Sequence, residues 1–283
     1  MKYKLKTSNY CKSADLSAYK KWLSCPISRP EATMRLFCFP YGGGGASIYR
    51  QWNKYLPNHI ELIALQPPGR ENRLLEPAIN SLSNLVNNIL SALVDWLDKP
   101  FVFFGHSFGA KTAFETTREL RRKNLPEPKH LFVAGQAAPH LPLARHCFHT
   151  LSDARFLQAV KKQYKIIPQA VLENEELLSL VMPALRGDFC MSEQYVYQKD
   201  NPLNCPITAF GGDKDPEVTQ DRLEAWKHET AVQFSSQLFS GDHFFVQTEP
   251  QRVINALLQT LNHFDKKNLL TKLLVEKRED DRR

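Results

Sequence analysis

No run of the 283 residues approaches 18 consecutive apolar side chains, so the chain offers no transmembrane helix. The start, Met1 to Lys6, is basic enough for a secretory leader, but Ser8 to Asp15 supplies no apolar core behind it, and a cytoplasmic protein is expected. No C-x-x-C pair occurs among the six scattered cysteines, Cys11, Cys25, Cys38, Cys147, Cys190 and Cys205, which argues against a disulfide framework or a zinc knuckle. Cys38 lies in an apolar run and reads as a small buried hydrophobe. The histidine cluster His140, His146 and His149 matches no ligand spacing and lies in a Pro139/Pro142 loop, so no metal is expected. No internal repeat or low-complexity tract is present.

A net charge of +7 raises the question of a nucleic-acid partner, and its distribution answers it. Residues 1–29 hold seven Lys/Arg against one acid, whereas the rest carries 30 positive and 29 negative side chains. The basicity belongs to an N-terminal extension, a solvated tail or a docking arm for an acidic partner. The body has no excess from which to build a basic binding face.

Short apolar runs alternate with helical patterns, the signature of βαβ units and a mostly parallel sheet. Strands are expected at Arg35–Phe39, Ile60–Leu65, Phe101–Phe104, Leu131–Ala134, Ile207–Phe210 and Val232–Phe239, several apolar on consecutive residues as strands covered on both faces should be. Helical spacing appears over Leu82–Leu97 and, more weakly, over Ala110–Leu120 and Val253–Leu261. From about 143 to 198 the alternation stops and only helical patterns remain, including Ala154–Lys165 and Asn174–Leu185, which is how a helical cap inserted between two strands looks. The expected division is a basic extension over 1–30, an α/β domain over 31–264 and a charged C-terminal tail over 265–283.

Chemistry concentrates at Phe101-Val-Phe-Phe-Gly105-His-Ser107-Phe-Gly109-Ala110, an apolar strand entering G-x-S-x-G with a helical pattern directly after it. This is the context of a nucleophile elbow, where a serine sits on a tight strand-to-helix turn and its neighbours two residues away must be small. A serine hydroxyl is a weak nucleophile and needs a base, which in turn needs an orienting carboxylate. In this architecture the chain order is Ser, acid, His. His243 follows the last expected strand and fits the base better than His106, which adjoins the serine. Asp215 is the favoured acid, with Asp213 as the alternative and Asp242 beside the histidine. An oxyanion hole should take one N–H from Phe108 and one from the glycine-rich loop Phe39–Ser47. That loop could instead cradle a phosphate, but it has neither the following Lys-Ser/Thr nor G-x-G-x-x-G spacing.

Taken together the chain resembles the stand-alone type II thioesterases of polyketide and nonribosomal peptide synthesis and the related animal enzyme that releases medium-chain fatty acids. The matching stretches are Leu36-Phe-Cys-Phe-Pro-Tyr-Gly-Gly-Gly-Gly-Ala46, Gln66-Pro-Pro-Gly-Arg-Glu-Asn-Arg73, Phe104-Gly-His-Ser-Phe-Gly-Ala110, Met182-Pro-Ala-Leu-Arg-Gly-Asp-Phe189, Cys205–Thr219 and Gly241-Asp-His-Phe-Phe245. The resemblance implies an α/β-hydrolase fold with a catalytic triad of Ser107, Asp215 and His243 and oxyanion amides at Gly42 and Phe108. Gly42 and Gly187 stand where the family usually has alanine, and Phe108 where it often has methionine. It further implies hydrolysis of acyl thioesters on the phosphopantetheine arm of acyl or peptidyl carrier proteins, by a monomer that needs no cofactor. Carrier domains are generally acidic, so the basic N-terminal arm would suit docking to one. A general carboxylesterase or lipase, or a non-catalytic interaction protein of the same fold, are the competing classes.

Overall fold

In the computed structural model, which describes residues 21–142, 147–164 and 169–263, the apolar runs pair side by side into one seven-stranded sheet. The strands are β1 Leu23–Ser24, β2 Met34–Phe39, β3 Ile60–Leu65, β4 Phe101–His106, β5 Leu131–Ala134, β6 Ile207–Gly212 and β7 Phe234–Phe239, in the spatial order β1-β3-β2-β4-β5-β6-β7. All neighbours are parallel except β1, which runs antiparallel to β3 with Leu23 opposite Leu65.

The period of two along each strand divides the core between the faces. Phe37, Phe103, Val133 and Ala209 meet Leu85, Ile89 and Leu93 of the helix Leu82–Leu93 and Phe114 and Leu120 of the helix Phe108–Arg122 on one side. Leu36, Phe104, Phe132 and Phe210 meet Trp52, Val253 and Leu257 on the other, the last two from a helix over 250–263. Both faces being covered explains why β3 through β6 are buried at every position.

Three features go beyond the sequence reading. β4 and β6 each run two residues past their apolar stretch, through Gly105-His106 and Gly211-Gly212, positions that carry no apolar signal yet remain on the ladder. β7 begins at Phe234, because Val232 is exposed and lies before the ladder. Residues 21–30, counted with the basic extension above, belong to the packed body: Trp22 is buried beneath the Arg73 guanidinium, 4.6 Å from its ring, and Leu23–Ser24 form β1. Residues 1–20 and the tail from 264 onward lie outside the described residues.

Between β5 and β6 the described residues form helices Asp153–Tyr164, Gln169–Leu172 and Glu175–Glu193 and no strand. The Asn174 side chain caps the last of these by accepting the Leu177 N–H at 3.0 Å. Phe156, Val160, Met182 and Leu185 give this cap a small apolar core of its own. Of the histidine cluster, His140 bonds Glu229 at 2.6 Å, His149 bonds Glu193, and His146 lies outside the described residues.

Among the described residues two histidines are wholly enclosed. His130 stacks on Phe132 and shares a hydrogen bond with the Thr208 hydroxyl; His106 ends β4. Desolvation holds both imidazoles down at about 3, with the neighbouring His243 adding to the effect on His106. A histidine held below its unfolded value near 6.5 contributes stability that is complete above that pH and is lost as pH falls toward the folded value. Each such group costs up to about 1.4 kcal/mol per pH unit in that window. The melting temperature should therefore fall as pH drops from 7.5 to 5, and His130→Gln should fall less steeply whatever its starting value. Equal slopes for the two proteins would contradict this origin of acid sensitivity.

Candidate active site

The chain leaves β2 toward β3 on one side and β4 toward β5 on the other, so the carboxyl ends of β2 and β4 open the crevice where open α/β sheets place their ligands. Ser107 sits at that point with φ 54° and ψ −122°, a left-handed conformation rarely held by a residue with a side chain, between the end of β4 and the helix Phe108–Arg122. Its N–H is anchored on the Ala134 carbonyl at 2.7 Å. The turn can be this tight only because its flanks lack Cβ atoms. One added at Gly105 would stand 2.4 Å from the Gly109 carbonyl oxygen, and one at Gly109 would stand 2.2 Å from the Phe39 carbonyl oxygen.

The loops after β6 and β7 come together at Gly212, where a Cβ would meet the Asp242 carbonyl oxygen at 2.4 Å. This approach places Asp215 Oδ2 2.6 Å from His243 Nδ1, with both residues buried. Asp215 Oδ1 accepts the Glu217 N–H at 2.9 Å. Burial alone would push the Asp215 carboxyl up. The hydrogen bond and charge of His243, with the backbone N–H groups of Glu217 and Val218, outweigh that and hold it below the usual carboxylate range. The other two acids serve their loops: Asp213 Oδ1 accepts the Gly241 N–H and Asp242 Oδ1 the Phe244 N–H, each at 2.9 Å. Of the alternatives left open by the sequence, the histidine bonds Asp215.

His106 also acts on His243, through the backbone. Its Nε2–H donates to the His243 carbonyl at 2.8 Å and its ring lies 5.3 Å from the His243 ring, so the residue beside the serine holds the loop that carries the imidazole. His243 and Ser107 line one cavity of about 130 Å³. Among the described residues the Ser107 hydroxyl makes no hydrogen bond, to His243 or to any other group. Such contacts are commonly long before substrate is present.

Gly42 and Phe108 face the same cavity, and a Cβ on Gly42 would lie 3.8 Å from that of Phe108. Among the described residues neither N–H has a protein acceptor; the Phe108 N–H is the first of its helix and could have none within it. The neighbouring amides are committed, Gly43 to Asp188 Oδ2 at 2.7 Å and Gly44 to the Tyr41 carbonyl at 2.9 Å. A diphosphate in this turn would meet the Asp188 carboxylate, so the turn is no phosphate cradle. Asp188 itself is held by Arg70, at 2.5 Å and 3.2 Å, and Arg70 also reaches the Gly44 carbonyl. This buried pair ties the cap helix Glu175–Glu193 to the glycine turn. Gly187 lets that helix come close, since a Cβ there would stand 2.8 Å from the Ile79 carbonyl oxygen.

Arg70 and Asp188 were visible in the sequence only as matched motif positions without a role. Lys111 stands among Thr, Glu and Arg residues of its helix, so no sequence signal marks it out; it is buried and lines the cavity. Tyr164, whose ring stands edge-on 5.5 Å from that of His243, comes from a cap that periodicity could not orient. No helix among the described residues is long and apolar enough to cross a membrane.

Residues 34–263 match the family described as Thioesterase domain. Linear gramicidin dehydrogenase LgrE of Brevibacillus parabrevis is 41% identical over 247 residues, 86% of this chain and 94% of that protein. Thioesterase PikA5 of Streptomyces venezuelae is 34% identical over 235 residues, covering 83% of each. The crystal structure of ClbQ from the colibactin NRPS/PKS pathway superposes with a TM-score of 0.78 at 32% identity, covering 83% of this chain and 99% of that one.

The two glycine positions predict opposite outcomes. Gly42→Ala meets only ordinary contacts, 3.5 Å from the Asp188 Cβ, and should leave the melting temperature and turnover nearly unchanged. Gly109→Ala should destabilise by about 1–3 kcal/mol or more, because backbone must move to admit the methyl group. Thermal melts of the pair check this, and comparable losses would contradict the packing described.

Proposed function

The chain belongs to the thioesterase family and is a hydrolase acting on thioesters, and we propose that it releases acyl groups from the phosphopantetheine arm of carrier proteins serving a peptide or polyketide synthase. The observation that carries the mechanism is the 2.6 Å contact of Asp215 with His243 Nδ1, in the cavity shared with Ser107. It fixes the imidazole with Nδ1 protonated and leaves Nε2 as the base.

In the proposed cycle the Ser107 hydroxyl oxygen attacks the thioester carbonyl carbon while His243 Nε2 takes its proton. The carbonyl oxygen becomes an oxyanion between the Gly42 and Phe108 N–H groups, whose stabilisation is worth about 2.7–4 kcal/mol per donor. The C–S bond then breaks, and the imidazolium returns its proton to the departing thiolate. Water, deprotonated by the same nitrogen, attacks the Ser107 ester carbonyl; the acyl C–O bond to Ser107 breaks, the imidazolium returns its proton to the serine oxygen, and the free acid leaves. Asp215 stays ionised throughout, and the carboxylate depression described above serves that need. These steps require no metal and no cofactor beyond the arm that brings the substrate.

Support for a carrier-bound substrate comes from several directions. ClbQ comes from the colibactin NRPS/PKS pathway. The helical cap encloses the cavity on the side opposite the sheet, a form that shelters an acyl group at the end of a thin arm. Five lysines within residues 1–20 provide positive charge for an acidic carrier surface. The working unit proposed is a single chain.

Ser107→Ala should lower hydrolysis of an acyl-loaded carrier by on the order of 10⁴-fold while leaving the thermal transition in place. Full activity in that variant would refute the mechanism. Asp215→Asn should cost on the order of 10⁴-fold. Asp213→Asn, whose amide oxygen can still accept the Gly241 N–H, should change turnover little. The reverse ranking would move the acid. Wild-type rates on an acyl-carrier thioester and on a nitrophenyl ester of the same acyl group test the substrate: a large preference for the carrier is expected, and preference for the ester would make the protein a carboxylesterase.

A further inference from the structure

Tyr164 ends the cap helix Asp153–Tyr164 and lines the cavity that holds Ser107 and His243. Its hydroxyl donates to Glu217 Oε2 at 2.6 Å. Burial first, then the Glu217 carboxylate beside it, pushes the phenol well above its ordinary value, so it stays protonated and keeps its donor. Glu217 lies two residues beyond Asp215 on the loop after β6, and its own N–H donates to Asp215 Oδ1 at 2.9 Å. Asp215 Oδ2 meets His243 Nδ1 at 2.6 Å. Three hydrogen bonds, joined through the covalent frames of Glu217 and Asp215, therefore run from the cap to the base.

The turn Asp215-Pro216-Glu217-Val218 is held from two sides. On the side of the body, Val218 is buried in the core that also contains Phe114, and the Asp215 N–H bonds the Gly212 carbonyl at 3.2 Å. Pro216 is exposed and has no N–H to give. On the side of the cap, Tyr164 grips Glu217 by a hydrogen bond to an ionised group, which is stronger than one between neutral partners. The place of this grip matters. The other two bonds that fasten the cap, Arg70 to Asp188 and Lys111 to Ser192, end on the helix Glu175–Glu193. The Tyr164 bond ends on the residue whose N–H supports the acid, and its ring stands 5.5 Å from the base it serves.

We infer that Tyr164 is a positioning residue for the triad, holding through Glu217 the turn that presents Asp215 to His243. The inference rests on the thioesterase reading above and adds a cap residue to its machinery. His243 Nε2 serves both halves of the cycle, so a displaced Asp215 slows acylation and deacylation together. Such a change lowers kcat and leaves KM in place, whereas a residue that only gates entry or touches the substrate would move KM.

The experiment measures kcat and KM for butyryl-pantetheine. Tyr164→Phe keeps the ring beside His243 and removes only the donor. A catalytic group misplaced by about 1 Å can cost on the order of 10²-fold, and the partial shift expected here should lower kcat about tenfold. KM should stay within about twofold of wild type. Glu217→Ala should behave alike, and the double variant should be no slower than either single one. Glu217→Gln, which offers the phenol an amide oxygen without a charge, should recover most of the loss, separating the hydrogen bond from the charge. Proton NMR of the low-field Asp215–His243 signal, assigned by its loss in His243→Ala, gives a readout independent of turnover. It should shift or weaken in Tyr164→Phe and Glu217→Ala and stand near its wild-type position in Glu217→Gln. An unchanged kcat with a raised KM, losses that multiply in the double variant, or a signal that moves in neither variant would overturn the inference. Should Tyr164→Phe fail to fold, the two Glu217 variants decide in the same way. A wild type inert toward the thioester would overturn the enzymatic reading instead, and the NMR comparison would still decide whether Tyr164 positions Asp215.

Discussion

The helix that carries Ser107 comes so near the end of β2 that a single methyl group at position 109 would lie 2.2 Å from the Phe39 carbonyl oxygen. That approach sets the relation between the turn after β2 and the turn after β4. It puts the Phe108 N–H beside Gly42, points the helix N-terminus into the crevice and forces Ser107 into its left-handed backbone conformation. The cost of holding one residue there is of order 1–3 kcal/mol and has to be borne by the surrounding packing. Buried Phe103, Phe104 and Phe132 in the adjoining strands supply it. The Gly42 and Phe108 amides, Ser107 and His243 all inherit their positions from this contact and from the parallel one at Gly212.

A second layer of control is electrostatic. Asp188 takes one N–H of the glycine turn and is itself neutralised by Arg70, so a residue of the cap fixes the orientation of the amides next to Gly42. A buried pair of this kind is weak evidence for stability, since desolvation offsets much of the attraction. Its value here is orientation: it fastens the cap helix to the turn that carries Gly42. Lys111 fastens the next and last turn of the same helix through Ser192. The cap is therefore attached at two points along one helix, leaving Tyr164 on the helix Asp153–Tyr164 to close over His243 from another direction.

Much of this was legible in the sequence because the signals were local. Apolar runs bounded by turn residues located the strands, and the spacing of Gly105, Ser107 and Gly109 identified the turn whose steric demands the structure displays. Chain order pointed to His243. What the sequence left open were matters of direction. Asp213 and Asp215 stand two residues apart on one loop, and only the path of that loop around Gly212 decides which reaches the imidazole. The partner of Asp188 lies 118 residues away, a separation no local pattern encodes. The last two residues of β4 and β6 were hidden because glycine and histidine carry no apolar periodicity while still pairing on the ladder. Lys111 reads as one more cation in a polar helical stretch, and its burial is a property of the assembled fold.

The central claim is that one hydroxyl, lifted out of the sheet by a strained turn, carries the acyl group between thioester and water. Acid-quenching the protein during turnover of an acyl-loaded carrier, followed by mass spectrometry of its peptides, tests this directly. The account predicts a mass increase equal to the acyl group on the peptide containing Ser107, absent from His243→Ala. An acyl adduct on a different residue, or steady turnover with Ser107 never modified, would contradict it.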